Sequence, residues 1–335
     1  MNSFGEKWTF TSFGESHGAA IGGVLDGVPA GMQIDMDLIR RELDRRAGKV
    51  PKDEVSCTKG VSARAKNEPD EVEWLSGVVE RTMDKGQGTK DKGQWTRDNG
   101  QGTGEERCLF TLGTPVAFLI RNKDARPEEY EVFKHTYRVG HADKVYEQKY
   151  GLRDWRGGGR ASARETAGRV VAGCFAKQQL AEKGVSIHAE LVQIGAETDP
   201  SKFADIIAAY QREGDSIGGI VECRIQGLPV GTGEPIFDKL QAHLAFAVMS
   251  ISACKGFEYG TGFGGVTQPG SAINHVSGGI AGGISDGSEI SFRCVFKPTP
   301  STPKAGIKGR HDACVAVRAV PVVEAMTALS LVQFL

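Results

Sequence analysis

The sequence predicts a protein of mixed α and β structure. Three observations carry this: apolar stripes of helical period that begin at capping residues, short alternating stretches bounded by turn residues, and a high glycine content. The 45 glycines among 335 residues are about twice the ordinary usage of roughly 7% and imply many tight turns or close backbone approaches. Lys and Arg number 41 against 42 Asp and Glu, a formal net charge of −1, which excludes a strongly basic nucleic-acid coat and an acidic solvating tail. With 39% hydrophobic and 25% charged residues, the composition is that of a folded, soluble chain. No run approaches the roughly 18 apolar residues of a membrane span, and the start of the chain lacks the pattern of a secretory signal. The seven cysteines are scattered, with no C-x-x-C pair, so reduced thiols in a cytoplasmic protein are expected.

In chain order, Asp35 is placed to cap a helix over 36–46. Leu38, Ile39 and Leu43 share one face, arginines fill the last turn, and Gly48 follows. A polar segment comes next: from Asp84 to Gly104 the chain reads DKGQGTK, DKGQWTR, DNGQGTG, three copies of a seven-residue unit. These units have no apolar face and carry glycine in each copy, so a solvated loop or hairpin is expected rather than a coiled coil. A cation site made by Asp84, Asp91 and Asp98 is the sharper alternative. Residues 115–120 read as a strand. Ser162-Ala163-Arg164-Glu165 reads as a capping box that opens a helix with Val170, Val171, Cys174 and Phe175 as its stripe and Gly184 as its end. Residues 219–225 and 289–296 read as strands. Pro235 reads as the first residue of a helix to about residue 250, with Ile236, Leu240, His243, Leu244 and Ala247 on one face and His243 packed in the core. Pro321 reads as the start of the last helix.

Gly157-Gly158-Gly159-Arg160-Ala161-Ser162 runs directly into the capped helix, so backbone N–H groups and the positive end of the helix dipole would converge on an anion. Between Arg138 and Arg169 stand six Arg and two Lys against two Asp and two Glu, a local positive excess in a nearly neutral chain. The plain alternative is a glycine turn flanked by solvated arginines. Gly14-Glu15-Ser16-His17-Gly18 places a histidine in a glycine-rich stretch, where it could exchange a proton near neutral pH. Adjacent Ser16 and His17 suit a serine-nucleophile triad poorly. His141-Ala142-Asp143 and His311-Asp312 are two further clusters, and with His17 they leave a divalent metal site open, although their spacing does not require one. Gly260 to Gly265 matches G-x-G-x-x-G but leads into Val-Thr-Gln-Pro-Gly rather than a helix, which excludes a dinucleotide fingerprint.

Three stretches resemble the chorismate synthase family: FGESHG at 13–18 continuing to DGVPAG at 26–31, GGGRASARET at 157–166, and GRHD at 309–312 continuing through RAVP at 318–321 to EAM at 324–326. GHAD at 140–143, GDSIG at 214–218, GGIAGG at 278–283 and KPTP at 297–300 support it. The likeness covers nearly the whole chain outside about 47–66 and 81–110. It implies an α+β fold, a β-α-β sandwich with helices packed between two antiparallel sheets. The implied organisation is a single domain over 1–335, with the polar repeat as an insertion at about 81–110, assembled as a homotetramer. The implied activity is that of a lyase of the shikimate pathway of aromatic amino acid biosynthesis: anti-1,4-elimination of phosphate from 5-enolpyruvylshikimate 3-phosphate to give chorismate. Reduced FMN would be required without net redox change, and NADPH would enter only as a source of reducing equivalents.

By the same resemblance, His17 would protonate the departing phosphate and His141 would stabilise the reduced flavin. Asp312, relayed by Ser16 and Ser162, would keep flavin N5 basic. Arg160, Ala161, Ser162, Ser252, Ala253, Gly282, Lys297, Pro298, Thr299, Pro300, Ser301 and Arg310 would hold the cofactor, and Arg45, Arg46, Arg164 and Arg310 the substrate. No metal, nucleic-acid or membrane partner is expected. The chain departs from the family at 44–48, which lacks the usual third arginine and proline, and at Ser252 and Ala313, which replace the usual asparagine and proline. A serine reaches less far than an asparagine, so one flavin hydrogen bond is expected to weaken by roughly 0.5–1.5 kcal/mol. A catalytically impaired FMN- or phosphate-binding relative and a metal-dependent phosphohydrolase are the competing readings.

Overall fold

The computed structural model describes residues 1–49, 63–84, 105–273, 277–307 and 310–335. The segment 50–62 and the heptad repeat beyond Asp84, with Asp91 and Asp98, lie outside the described residues. In chain order the strands are β1 (Ser3–Phe4), β2 (Thr9–Phe13), β3 (Ala20–Asp26), β4 (Val72–Ser76), β5 (Val78–Asp84), β6 (Glu105–Thr111), β7 (Val116–Arg121), β8 (Ser186–Ile194), β9 (Gly219–Gln226), β10 (Cys254–Tyr259), β11 (Ile280–Ala281), β12 (Ile284–Ser285) and β13 (Ile290–Phe296). The helices are α1 (Met36–Ala47), α2 (Ala63–Asn67), α3 (Asp143–Tyr150), α4 (Thr166–Ala181), α5 (Pro200–Arg212), α6 (Leu240–Met249), α7 (Gly270–Ile273) and α8 (Ala316–Leu331).

Two antiparallel sheets, in the orders β1-β2-β3-β7-β4 and β10-β13-β9-β8, enclose the helical layer. Helix α4 packs on β2 and β3 of the first sheet, α8 on β8 and β9 of the second, and the two helices pack on each other. This is the α+β sandwich that the family resemblance implies. Among the described residues no helix is long and apolar enough to cross a membrane.

Local chemistry accounts for the elements. Asp35 Oδ1 accepts from Leu38 N–H at 2.7 Å and Gly48 closes α1 in the left-handed region, with Ile39 and Leu43 buried. Strands β9 and β13 alternate buried with more exposed positions, so Val221, Cys223 and Ile225 share the buried face with Phe292, Cys294 and Phe296. Helix α8 is buried almost all round, as an interior helix with little polar surface must be. It meets α4 at Gly173, where an added Cβ would fall 2.4 Å from Ala325 Cβ.

Four expectations are corrected. Pro321 lies inside α8 rather than at its start; burial of Ala316 and Ala319 draws the helix back through a proline that can only omit one backbone bond. Helix α6 begins at Leu240, not Pro235, because Leu240 N–H donates to Gly283 O and Glu234 N–H to Asp238 O. The first bond ties Leu240 to the turn between β11 and β12, the second closes 234–238 on itself, and Ile236 and Phe237 stay exposed. His243 is half-buried, not packed in the core; its Nε2 lies 3.1 Å from Asp238 Oδ1 and its ring meets Phe334 edge-on. The capping box at 162–165 is not reciprocal. Ser162 Oγ accepts from Arg164 N–H at 3.3 Å within a 3₁₀ turn, while Glu165 pairs with Arg169 at 3.0 Å, so α4 starts at Thr166.

Gly173→Ala is expected to destabilise the protein by about 1–3 kcal/mol in urea unfolding, although alanine is the better helix former by about 1 kcal/mol. Ala325→Gly in the same chain should recover part of that loss.

Candidate active site

A cavity of about 550 Å³ lies where the 14–18 loop, the 157–163 segment, α2, the 297–301 loop and the start of α8 meet. Its centre is built around backbone without side chains. Gly157 (φ 58), Gly158 (φ 87) and Gly159 (φ 53) are all left-handed, a conformation that strains other residues. The run passes between two imidazoles: a Cβ on Gly157 would fall 1.9 Å from His17 Nδ1, and one on Gly158 2.8 Å from His141 Nε2. The expected convergence of amides on an anion at a helix start is corrected here. The N–H groups of Gly159, Ala161, Ser162 and Glu165 donate to Arg156, Gly158, Gly159 and Ser162 carbonyls in tight turns, and α4 begins only after them.

His17 is buried, with its ring edge-on to Tyr130. Ser16 donates its hydroxyl to Gly157 O at 3.1 Å, so its oxygen accepts from His17 Nδ1–H, also at 3.1 Å. Arg64 Nη1 stands 3.2 Å from His17 Nε2 and 3.3 Å from Nδ1; with Nδ1 donating to Ser16, Nε2 is the nitrogen left to accept from the guanidinium. Burial first, then the charges of Arg64 and Arg310, lower the His17 pKa to about 4, so the ring is neutral at pH 7. On the other side, His141 Nδ1 lies 2.7 Å from Asp143 Oδ1. Asp312, at the start of the last motif, faces the cavity and is 2.9 Å from Arg318.

The arginine excess between 138 and 169 is mostly matched within the fold. Arg153 pairs with Glu147, Arg156 with Asp154 and Arg169 with Glu165. Arg160, expected on the cofactor, instead donates to Gly14 O at 3.1 Å and Ser12 Oγ at 2.9 Å, and only Arg138 and Arg164 of the six reach the cavity. Behind the wall, Asp70 bridges Arg46 at 3.3 Å and Arg164. Burial opposes its ionisation, but Arg164 and Arg46 hold its carboxyl below the usual range. Arg46 is lowered to about 9 by burial and then by the charge of Arg318.

Of the residues singled out from the sequence, His17, His141, Asp312, Ala161, Ser162, Arg164, Ser252, Ala253, Lys297, Pro298, Thr299, Pro300, Ser301 and Arg310 line this one cavity. Ser16 sits behind His17. Arg45 and Arg46 do not reach the cavity: Arg45 is held by Glu42 and Glu324, and Arg46 donates to Thr166, Asp70 and carbonyls of the 163–164 turn. Gly282 lies in the turn between β11 and β12, off the cavity. Sequence reasoning missed Arg64, Glu68, Tyr130, Arg138 and Arg318 as lining residues. Arg138 adjoins a recognised motif and Arg318 opens one, whereas Arg64 falls where the resemblance lapses.

Two polar groups on cavity-lining residues lack a protein partner. Ser301 Oγ is buried with no hydrogen bond, and Lys297 Nζ has no partner among the described residues. Arg310 pairs with Asp124 and, through Nε at 3.5 Å, with Glu129. Ala253 adopts φ 72, a left-handed backbone for a residue with a Cβ. The lining carries Arg64, Arg138, Arg164, Lys297, Arg310 and Arg318 against Glu68 and Asp312, a set suited to a polyanionic ligand. Among the described residues no three His, Cys, Asp or Glu side chains form a metal-ligand group.

Comparison with known proteins points to one family. A family model described as chorismate synthase matches residues 8–89 and 101–335. The chorismate synthase of Phocaeicola vulgatus is 42% identical over 387 aligned positions, covering 100% of this chain and 97% of that protein. That of Christiangramia forsetii is 40% identical, covering 99% and 97%. A crystal structure of chorismate synthase superposes with a TM-score of 0.70 at 27% identity, covering 99% of this chain and 92% of that one.

His17 binds its proton less readily in the folded chain than the unfolded value of about 6.5. The unfolded state therefore takes up the proton first, and stability falls as pH drops from about 6.5 to about 4. His17→Gln is expected to remove this part of the acid limb, up to about 3 kcal/mol, and urea midpoints measured across that window check it.

Proposed function

The chain belongs to the chorismate synthase family, and from that premise we propose that its cavity eliminates phosphate from 5-enolpyruvylshikimate 3-phosphate to give chorismate. It is a carbon–oxygen lyase. The observation that carries the reading is the meeting of His17 and His141 across the glycine run in a cavity whose lining cations outnumber its acids. In the reaction the C3–O bond breaks, a hydrogen ion leaves C6, and the electron pair of the C6–H bond ends in the new diene.

Apart from Arg160 and Gly282, the residues assigned to reduced FMN fit such a group. Ala161, Ser162, Ser252, Ala253 and the 297–301 loop all line the cavity, and unpartnered Ser301 Oγ and Lys297 Nζ suit its polar edge and phosphate. When bound, reduced FMN supplies electron density to the substrate as phosphate departs, without net redox change. The chain's own part is electrostatic. Arg64 and Arg310 take the phosphate. Arg64 thereby leaves His17 Nε2, and the incoming negative charge raises the His17 pKa, so that the ring holds a proton for the leaving group. Ser16 keeps the other nitrogen protonated, so its service is to His17 rather than to Asp312.

Arg164 and Arg318 already donate to Asp70 and Asp312 and act as fixed positive potential. Asp312 supplies the basic end of the path for the C6 hydrogen ion, and Ser162 lines the same cavity. Arg45 and Arg46 support the wall. We read the repeat, where the family match breaks at 90–100, as an insertion in a single domain. A homotetramer is the assembly in which Gly282 would serve the cavity of a second copy. We place the enzyme in the cytoplasm, with NADPH only a source of reducing equivalents.

Anaerobic protein with reduced FMN and 5-enolpyruvylshikimate 3-phosphate should release phosphate, and His17→Ala should slow release by roughly 10² or more. Binding without release would leave only an impaired relative. At pH 7, substrate binding should take up about one proton per site, seen by calorimetry in buffers of different ionisation enthalpy. The same uptake should be absent in His17→Ala.

A further inference from the structure

The buried carboxylate of Asp143 touches neither the cavity nor any residue assigned above except His141. We propose that Asp143, locked by Arg138, is a positioning residue that keeps the proton on His141 Nδ1 and thereby presents a bare Nε2 to the cavity. The inference rests on the proposed elimination only for what that nitrogen then does.

The geometry carries it. Asp143 Oδ2 accepts from Arg138 N–H at 3.1 Å and from Arg138 Nε at 2.9 Å, while Oδ1 accepts from Arg138 Nη2 at 2.7 Å. The fourth donor on this carboxylate is His141 Nδ1, 2.7 Å from Oδ1. Arg138 Nη2 is also 3.1 Å from His141 Nδ1. A guanidinium can only donate, and so cannot bond to a nitrogen that itself carries hydrogen. The shorter contact is to the carboxylate, so the hydrogen lies between Nδ1 and Asp143, and Arg138 serves the carboxylate. Both members are buried, Asp143 at 4% and Arg138 at 6% exposed. Burial would raise the Asp143 carboxyl, but the bonds from Arg138 and His141 hold it well below the usual range, so it is a permanent acceptor.

The opposite edge of the imidazole has nowhere to turn. A Cβ on Gly158 would fall 2.8 Å from His141 Nε2 and Cε1 and 3.2 Å from Arg138 Nη2, so the backbone of the glycine run abuts the ring and the guanidinium. Nε2 has no hydrogen bond among the described residues, and His141 lines the cavity. A neutral His141 therefore offers an acceptor to whatever occupies the cavity, and Asp143 compensates the charge when that acceptor takes a proton.

Asp143→Asn tests the assignment. The amide oxygen would keep the two bonds at the Oδ2 position and give up the one from Arg138 Nη2 to Oδ1, turning the NH₂ toward His141 Nδ1, which must then accept, so the ring hydrogen moves to Nε2. Ring-nitrogen NMR of the unliganded full chain should show His141 protonated on Nδ1 in the native protein and on Nε2 in Asp143→Asn; Nε2 protonation in the native protein, or no change in the variant, would overturn the proposal whatever the reaction proves to be. In the anaerobic assay with reduced FMN, kcat of Asp143→Asn should fall by roughly 10² with KM within about twofold. The same substitution in a His141→Ala background should have no further effect on kcat. An undiminished loss in that background would mean that Asp143 is merely structural. If Asp143→Asn does not fold, native-protein NMR decides the tautomer and Asp143→Glu, keeping the carboxylate, should retain the Nδ1 proton.

Discussion

The architecture of the cavity depends on excluded volume at two positions. The backbone at 157 and 158 occupies space that both imidazoles also require, and only the absence of a Cβ lets His17 and His141 close on it from either side. The same peptide supplies the carbonyl that anchors Ser16, so the contact that admits His17 also orients it. A short left-handed run therefore does what a longer framework of side chains would otherwise do: it brings two titratable rings from distant parts of the chain to one cavity and holds each against rotation.

Around that contact the charges are arranged in two classes. Arg164, Arg318 and Arg138 are matched by Asp70, Asp312 and Asp143, as buried ions must be, and they set a positive potential before any ligand arrives. Arg64 reaches Glu68 only through Nε at 3.4 Å while its Nη1 meets the His17 ring, Arg310 pairs with Asp124 and at 3.5 Å with Glu129, and Lys297 Nζ has no partner among the described residues. Preorganised dipoles and charges of the first class stabilise developing negative charge without reorganising, while the second class can exchange partners for a ligand. The depressed affinity of His17 for a proton follows from its burial first and then from the charges of Arg64 and Arg310.

Much of this was legible from local signals. The caps of α1, the alternation of β9 and β13, and the motifs bearing His17, His141 and Asp312 all depend on near neighbours, and they survive in the structure. The failures share a cause. Pro235 and Pro321 carry the local chemistry of a helix start, but a bond from Leu240 to Gly283 overrode the first and burial of the preceding turn overrode the second. The run at 157–162 looked like a phosphate cradle, yet the amides of Gly159, Ala161 and Ser162 bond to carbonyls of 156, 158 and 159 in tight turns.

The arginines mark the boundary most clearly. From the sequence alone came the positive local balance, the family motifs, the helices with their caps and the expectation of an anionic ligand. Tertiary structure alone decided that Arg160 serves carbonyls, that Arg45 and Arg46 turn inward to acids on other elements, and that Arg64 faces the cavity. A guanidinium is long and omnivorous: its partner is whichever carboxylate or carbonyl the fold brings within reach, and no spacing along the chain encodes that distance.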